Sequence, residues 1–448
     1  MQRRSSLSVL ALAVLVLSLW LAQSDRLQAQ PKPTASGPSK VRVEYDGLKY
    51  SLLVNGERLF LRGAGLDSAS QEALAARGAN AFRTWRPESD QESGRQVLDR
   101  AQKNGLFVAL GLDVARERHG FDYDDPRAVL AQKAAIKRQV LRYKDHAALL
   151  MWVVGNELNL ESRNPRVWNA LNDIIEMIAE LDPNHPAMTT LAGFDAELIG
   201  EIRSRAPALQ LIGVQLYGDI AKLRQLRAAG WSGPYVVTEW GPTGHWEVAK
   251  TTWGAPVEEH SGSKAERLIE RYQQHILSDP THCLGSFVFL WGHKQERTPT
   301  WYGMFLDTGE ATPAVDAMQW LWSGVWPANR SPLLKGMTLG GRVAGDDIRH
   351  APGQQVEAVV EVTDPDGDPL DYHWQVLAES TAKSVGGDQE QRPAQIATKQ
   401  QYVAAGHIRL QLPDRPGAYR LFLIVRDGQG NAAHANVPFL VETTDWKP

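Results

Sequence analysis

The sequence predicts an α/β protein in which a (β/α)8 TIM barrel is followed by a smaller all-β, immunoglobulin-like sandwich. Short apolar segments alternate with longer helical ones over roughly the first two thirds of the chain, which is the pattern of a parallel barrel. Helical periodicity then stops near Ser331, and only strand-like segments follow. The eight strand candidates of the barrel are Leu59–Gly63, Ala79–Thr84, Phe107–Leu112, Leu149–Val154, Ala187–Leu191, Leu211–Gln215, Tyr235–Thr238 and Ser286–Leu290.

A doubly wound open sheet is the competing arrangement for strands that alternate with helices. That fold predicts a glycine-rich phosphate loop after its first strand. Here Gly63-Ala64-Gly65 supplies two glycines, and the third glycine of the motif is missing. The closed barrel is therefore favoured. Helices are predicted at Glu92–Lys103, Ala131–Tyr143, Val167–Glu180, Ile220–Ala229 and Lys264–Leu277.

The segments after Ser331 predict a sandwich of about 110 residues, the usual size of an immunoglobulin-like unit. Asp364, Asp366 and Asp368 lie at alternate positions of one turn. Such carboxylates could bind calcium, or the segment could be a plain Asp–Gly turn. The predicted strands are Val356–Val362, Tyr372–Leu377, Ile408–Leu412 and Arg420–Val425.

The N-terminal residues 1–29 have the order of a secretory signal peptide. Arg3 and Arg4 precede an apolar run from Leu7 to Ala22, and small residues follow. That run of 16 residues is shorter than the ~20 of a membrane span. We therefore expect an exported, periplasmic or extracellular protein with no stable membrane insertion after cleavage; an uncleaved anchor is the alternative. The remaining predicted ranges are a linker at 30–39, the barrel at 40–328 and the sandwich at 329–448.

Composition argues against several classes of protein. With 48 Lys and Arg against 52 Asp and Glu, the net charge of −4 disfavours nucleic acid as a partner. The single cysteine, Cys283, rules out a disulfide scaffold and a cysteine-ligated zinc site. The histidines show no metal-binding spacing, so we expect no metal and no cofactor. Protein partners leave no pattern in the sequence.

Polar residues follow the apolar strands at the end that forms the active-site mouth of TIM barrels. Asn156 and Glu157 follow the fourth strand, and Glu239 follows the seventh. Arg83 ends the second strand and Tyr217 follows the sixth. Two carboxyl groups, one protonated and one ionised, are the pair that cleaves glycosidic bonds. Arg83 would hold one of them ionised, and apolar walls would keep the other protonated.

Aromatic side chains are expected around the same mouth. Flat aromatic walls suit the C–H faces of sugars, although each of these rings could instead serve packing. A carbohydrate is therefore the predicted partner. The candidates are Trp85, Trp240, His245, Trp246, Trp291 and Trp301.

Three motifs resemble glycoside hydrolase clan A, and within it the barrel of family 2. The run Lys144–Glu157 resembles the acid/base motif, Asn55–Gly63 the barrel entry, and Gly78–Thr84 the second strand. The resemblance implies that Glu157 is the general acid/base and that Glu239 is the nucleophile. Only a hairpin precedes the barrel here, whereas family 2 enzymes usually carry sandwich domains before it.

The same resemblance implies roles for four further residues. Asn156 would bind the 2-hydroxyl of the sugar, Arg83 and Tyr217 would hold the nucleophile, and Trp291 would form the floor of the −1 subsite. The chain is thus predicted to be an exported, retaining β-glycosidase of a poly- or oligosaccharide. A glucan-remodelling transglycosidase with the same site and a non-catalytic carbohydrate-binding envelope protein are the alternatives.

Overall fold

The computed structural model describes residues 31–33 and 37–443. The predicted signal peptide and its cleavage site lie outside these residues. The barrel is preceded by a three-stranded antiparallel sheet whose second turn, Asn55-Gly56, has positive φ at both residues, as a tight hairpin requires. Leu52, Val54 and Leu59 of this sheet are buried among the first residues of the barrel strands. The sheet therefore closes the amino-terminal end of the barrel. Its strands are β1 (Val41–Tyr45), β2 (Tyr50–Val54) and β3 (Glu57–Leu59).

Eight parallel strands form a closed barrel in which each strand pairs with the next in sequence and the last pairs with the first. This confirms the predicted barrel and excludes the open sheet. Nearly every residue of these strands is buried because helices cover the outside of the barrel and side chains fill its inside. The strands are β4 (Leu61–Leu66), β5 (Ala81–Arg83), β6 (Phe107–Leu112), β7 (Leu149–Asn156), β8 (Ala187–Ala192), β9 (Ile212–Gln215), β10 (Tyr235–Glu239) and β11 (Cys283–Trp291).

Seven α-helices occur among the described residues of the barrel. Serine, aspartate or histidine side chains cap five of their amino-terminal ends, which satisfies otherwise unpaired N–H groups. The helix predicted at Ile220–Ala229 is wrong: this segment is a short 3-10 helix, Ile220–Gln225. None of the described helices is long and apolar enough to cross a bilayer. The helices are α1 (Gln71–Ala76), α2 (Gly94–Lys103), α3 (Pro126–Tyr143), α4 (Arg166–Leu181), α5 (Ala196–Arg205), α6 (Ser261–Arg271) and α7 (Pro313–Ser323).

Two sheets pack face to face after the barrel, which confirms the predicted β-sandwich. One sheet has the order β12-β14-β18-β17 and the other β13-β20-β19-β15-β16. Their apolar faces enclose a separate core that contains Trp374 and Phe439. The last strand, β20, was not predicted from the sequence, although it is buried along its whole length. The strands are β12 (Leu333–Leu339), β13 (Arg349–His350), β14 (Gln355–Thr363), β15 (Asp371–Ala378), β16 (Gln395–Ile396), β17 (Lys399–Ala404), β18 (His407–Gln411), β19 (Gly417–Arg426) and β20 (Ala432–Val441).

Buried polar contacts join the sandwich to the barrel. The carboxylate of Glu258 accepts hydrogen bonds from Lys264 Nζ at 2.5 Å and from Asn436 Nδ2 of the sandwich at 2.6 Å. Arg420 of the sandwich donates to the carbonyl of Pro256 at 2.8 Å. Because buried charges are costly without partners, these contacts fix one relative position of the two units.

Candidate active site

A cavity of about 1680 Å³ opens at the carboxyl end of the barrel, where the strand-end residues were expected to meet. Glu157 and Glu239 both line it, together with Asn156 and Tyr217. The volume exceeds the ~300–1,000 Å³ typical of small-molecule pockets. It therefore has room for more than one sugar residue.

Three side chains donate hydrogen bonds to the carboxylate of Glu239. Arg83 Nη1 and Trp85 Nε1 both reach Oε1 at 2.9 Å, and the Tyr217 hydroxyl reaches Oε2 at 3.1 Å. Burial raises the pKa of Tyr217 well above its usual value, so the hydroxyl keeps its proton and donates. Donors on both oxygens hold the carboxylate in one orientation and stabilise its negative charge.

Arg83 also connects Glu239 to Asn156 across the cavity floor. Its guanidinium is fully buried, and Nη2 donates to Asn156 Oδ1 at 2.8 Å. The same oxygen accepts from Gln215 Nε2 at 2.8 Å and from the Thr190 hydroxyl at 3.0 Å. Three donors on Oδ1 fix which way the amide points, so the NH2 group of Asn156 is left to face the cavity as a donor.

Glu157 lies in a very different environment. It comes directly after β7, and both Gly155 near the end of that strand and Glu157 itself have positive φ, 76° and 52°. The positive φ of Gly155 favours glycine, and a Cβ there would come within 2.9 Å of the Leu158 side chain. The strained φ at Glu157 is of the kind found at functional sites. The Glu157 carboxyl has no hydrogen-bond donor among the described residues, and it lines the cavity.

Burial, and next the charge of Glu239, raise the pKa of Glu157 to about 8. The guanidinium groups of Arg83, Arg118 and Arg116 act in the opposite direction without cancelling this effect. Glu157 is therefore protonated at neutral pH. The cavity thus pairs a proton donor with a carboxylate that is held by an arginine, the pattern of a matched acid and nucleophile.

Three aromatic candidates line the cavity, namely Trp85, His245 and Trp246. Trp246 is 54% exposed and packs edge-on against Tyr217 at 5.4 Å. His245 Nε2 lies 3.3 Å from Glu296 Oε1, and its ring is edge-on to Trp246 at 4.9 Å. These rings form a wall beside Glu239.

The other three tryptophan candidates do not line the cavity, so these expectations are wrong. Trp291 lies in the outer core, 6.1 Å from Trp322 of α7. Trp240 points outward against Tyr272 at 5.7 Å. Trp301 is buried behind His245, and its Nε1 donates to the carbonyl of Thr243 at 2.9 Å.

Phe289 occupies the position expected for Trp291. It lines the cavity and packs edge-on against Trp85 at 5.9 Å and Tyr217 at 6.0 Å. In the pairing of β11 with β4, the register shifts between Val288 and Trp291, which interrupts the alternation of side chains. The sequence feature that could have identified Phe289 as a cavity residue is its position near the end of the eighth predicted strand.

The cysteine and the sandwich aspartates singled out in the sequence do not line the cavity. Cys283 is buried, and burial raises the pKa of its thiol to about 12. In the sandwich, carboxylate oxygens of Asp364, Asp368 and Asp427 lie within 4.8 Å of one another. Asp366 belongs to the same turn, and its carboxylate accepts from the backbone N–H of Arg330 at 2.7 Å.

Comparison with solved structures gives partial matches. The chain is 18% identical to a β-D-glucuronidase of Dictyoglomus thermophilum, with a TM-score of 0.48 over 64% of this chain and 54% of the other. It is 13% identical to a putative β-galactosidase from Bacteroides fragilis, with a TM-score of 0.47 over 90% of this chain and 58% of the other. The chain thus spans between half and two thirds of these neighbours.

Sequence comparison gives a match within the barrel. Residues 71–198 match the TIM barrel domain of the glycosyl hydrolases family 2. A β-glucuronidase of Streptococcus agalactiae serotype V is 29% identical over 146 residues, which are 30% of this chain and 24% of that protein. A β-galactosidase of an Arthrobacter species is 30% identical over 164 residues, 31% of this chain and 16% of that protein. The resemblance in the sequence is thereby confirmed: the barrel is similar to the TIM barrel of glycosyl hydrolase family 2.

Proposed function

We propose that this chain is an exported, retaining β-glycosidase that hydrolyses a poly- or oligosaccharide by double displacement. The observation that carries the proposal is the contrast between the two cavity carboxyl groups. Glu239 is held by three donors that include a buried arginine. Glu157 lacks donors among the described residues, and its pKa is about 8.

In the first step, the Glu239 carboxylate attacks the anomeric carbon of the sugar. The glycosidic C–O bond breaks, and Glu157 gives its proton to the departing oxygen. The alcohol leaves, and the sugar is bound to Glu239 as an ester. The NH2 group of Asn156 is placed to bind the 2-hydroxyl, a contact that strengthens as the transition state forms.

In the second step, Glu157 is a carboxylate and acts as a base. It takes a proton from water while the water oxygen attacks the anomeric carbon. The ester bond to Glu239 breaks, and the free sugar keeps its original configuration. Loss of the negative charge on Glu239 in the ester removes the main charge that opposes ionisation of Glu157, so its pKa falls when a base is needed.

The sequence relatives support the glycosidase class and suggest the sugars to test first. Because these relatives are a β-glucuronidase and a β-galactosidase, β-glucuronides and β-galactosides are the first substrates to test. Export is supported by the sequence of residues 1–29, and amino-terminal sequencing of the mature protein from the cell envelope would test it.

A mechanism-based label tests the proposed nucleophile. 2,4-Dinitrophenyl 2-deoxy-2-fluoro-β-glycosides of galactose and glucuronic acid should inactivate the protein with the mass gain of one sugar. Peptide mapping should place that sugar on Glu239, and the Glu239→Gln variant should remain unlabelled. Labelling of another carboxylate would refute the assignment, and no reaction with any β-glycoside in a wider panel would refute the glycosidase itself.

A further inference from the structure

A loop of the sandwich forms part of the wall of the barrel cavity. We call residues 379–394, which join β15 to β16, the cap loop. Every residue from Ser380 to Glu390 except Thr381 lines the cavity that holds Glu157 and Glu239. The candidate active site is therefore built by both units of the chain.

The cap loop is anchored by Arg297, which lies in the segment after β11. Arg297 Nη1 pairs with Glu390 Oε1 at 2.7 Å, and its backbone N–H donates to Oε2 at 2.6 Å. The guanidinium also donates to the carbonyls of Ala382 and Ser384, at 2.7 and 2.9 Å. The Glu390 side chain is only 1% exposed. These four hydrogen bonds hold the loop in a defined conformation.

A second set of contacts includes an arginine from a different segment of the barrel. Arg118, in the segment after β6, donates to Asp388 Oδ2 at 2.7 Å and to the carbonyl of Val385 at 3.1 Å. Lys294 Nζ donates to the carbonyl of Gly387 at 2.7 Å. A Cβ on Gly386 would lie 2.6 Å from Leu160, so the loop backbone packs directly on the segment that follows Glu157.

The contacts with Leu160 and Arg118 place part of the cap loop beside the proposed acid. Arg118 is close enough to Glu157 for its charge to act on that carboxyl. Arg116, two residues earlier, donates to the carbonyl of Asn156 at 3.0 Å. A glycosidase acid protonates the leaving oxygen, so the loop adjoins the space that a leaving group occupies.

We propose that the cap loop forms the leaving-group subsite and selects a saccharide there. This inference rests on the proposed glycosidase function. Lys383 and Gln389 line the cavity with exposed side chains and have no hydrogen-bond partner among the described residues. An ammonium and an amide bind hydroxyl groups, which a sugar offers and a simple aryl group lacks. The sandwich is thus part of the specificity site rather than a spacer.

Paired substrates test this proposal. The sugar that wild-type protein cleaves best is chosen from a panel of 4-nitrophenyl β-glycosides. kcat/KM is then measured with that sugar attached to nitrophenol and with the same sugar β-linked to glucose. The variants are Lys383→Ala with Gln389→Ala, and Asp388→Asn with Glu390→Gln, which removes the carboxylate of each anchor and so weakens both. Lys399→Ala, an exposed lysine of β17 outside the cavity, is the matched control.

The Lys383→Ala and Gln389→Ala pair should lower kcat/KM for the disaccharide about 10- to 100-fold relative to the nitrophenyl glycoside, the effect of losing one hydrogen bond from a charged group and one from a neutral amide. The Asp388→Asn and Glu390→Gln variant should also lower kcat/KM for the disaccharide relative to the nitrophenyl glycoside. The Lys399→Ala control should leave this ratio unchanged. An unchanged ratio in the Lys383 and Gln389 variant, whose exposed side chains can be removed without disturbing the fold, would overturn the cap-loop proposal alone. A wild-type protein inactive on every glycoside would overturn the proposed function.

Discussion

Replacing Glu157 by glutamine should stabilise the fold at neutral pH while it removes the proposed proton donor. Burial and the charge of Glu239 raise the pKa of Glu157 from its ordinary 4.5 to about 8. A carboxyl with a higher pKa in the folded state binds its proton more tightly there than in the unfolded chain. Folding stability therefore falls as pH rises from 4.5 to about 8, and it changes no further from this source above that pH.

The size of the effect follows from the same two values. Within that window, each pH unit costs about 1.4 kcal/mol of unfolding free energy. Glutamine has a similar shape and does not ionise, so the variant lacks this cost. The stability advantage of Glu157→Gln over wild type should therefore grow by about 3 kcal/mol between pH 5 and pH 7.

Urea denaturation followed by tryptophan fluorescence at pH 5, 6 and 7 measures this difference. Glu161→Gln, which removes an exposed carboxylate from the same loop, controls for the loss of any negative charge near the mouth. The same stability difference at all three pH values would refute the reasoning, because it would show that Glu157 titrates alike in the folded and unfolded protein.

Further predictions concern the donors and the aromatic rings. Trp85→Phe removes one donor to the Glu239 carboxylate and should lower kcat/KM for aryl glycosides about 10- to 100-fold, as expected for a hydrogen bond to a charge; a loss below 3-fold would show that this bond adds little in the transition state. The kcat/KM of wild type should fall above pH 8 for substrates with poor leaving groups, because Glu157 loses its proton, and dinitrophenyl glycosides should lack this limb in a pH–rate series. Trp291→Ala should cost about 3–5 kcal/mol of unfolding free energy, whereas Trp246→Ala, at a half-exposed ring, should raise KM and leave the urea midpoint nearly unchanged; the reverse pattern would contradict the placement of the two rings.

The two carboxyl groups were predictable because parallel strands of a closed barrel all end at one mouth. Asn156, Glu157 and Glu239 each lie at or directly after the end of a buried strand, so their convergence needed only the strand assignment. The same reasoning predicted that Arg83 and Tyr217 lie at this mouth. The sequence could not show that Trp85 would donate to Glu239, since this depends on the path of the loop after β5.

The predictions for Trp240 and Trp291 failed because of the local geometry of the strands at whose ends they lie. Trp240 directly follows Glu239, and adjacent side chains of a strand face opposite ways, so one faces the cavity and the other the helices. At β11, the shift in register between Val288 and Trp291 reverses the expected direction, and Phe289 faces the cavity instead. A shift of this kind depends on pairing with β4, which the apolar pattern of one strand does not reveal.

The contribution of the sandwich to the cavity could not be predicted from either unit alone. Arg118, Arg297, Asp388 and Glu390 are ordinary charged loop residues in sequence. Their pairing depends on how the sandwich docks on the barrel, and the buried contacts of Glu258 with Asn436 help to fix that arrangement.

Azide rescue tests the central claim most directly, namely that Glu239 is the nucleophile and Glu157 the acid/base. With a 2,4-dinitrophenyl β-glycoside and azide, Glu239→Ala should form the α-glycosyl azide, because azide enters the space left by the carboxylate. Glu157→Ala should form the β-glycosyl azide through the sugar ester on Glu239. Proton NMR of the products distinguishes the two anomers, and the opposite assignment, or one anomer from both variants, would contradict the account.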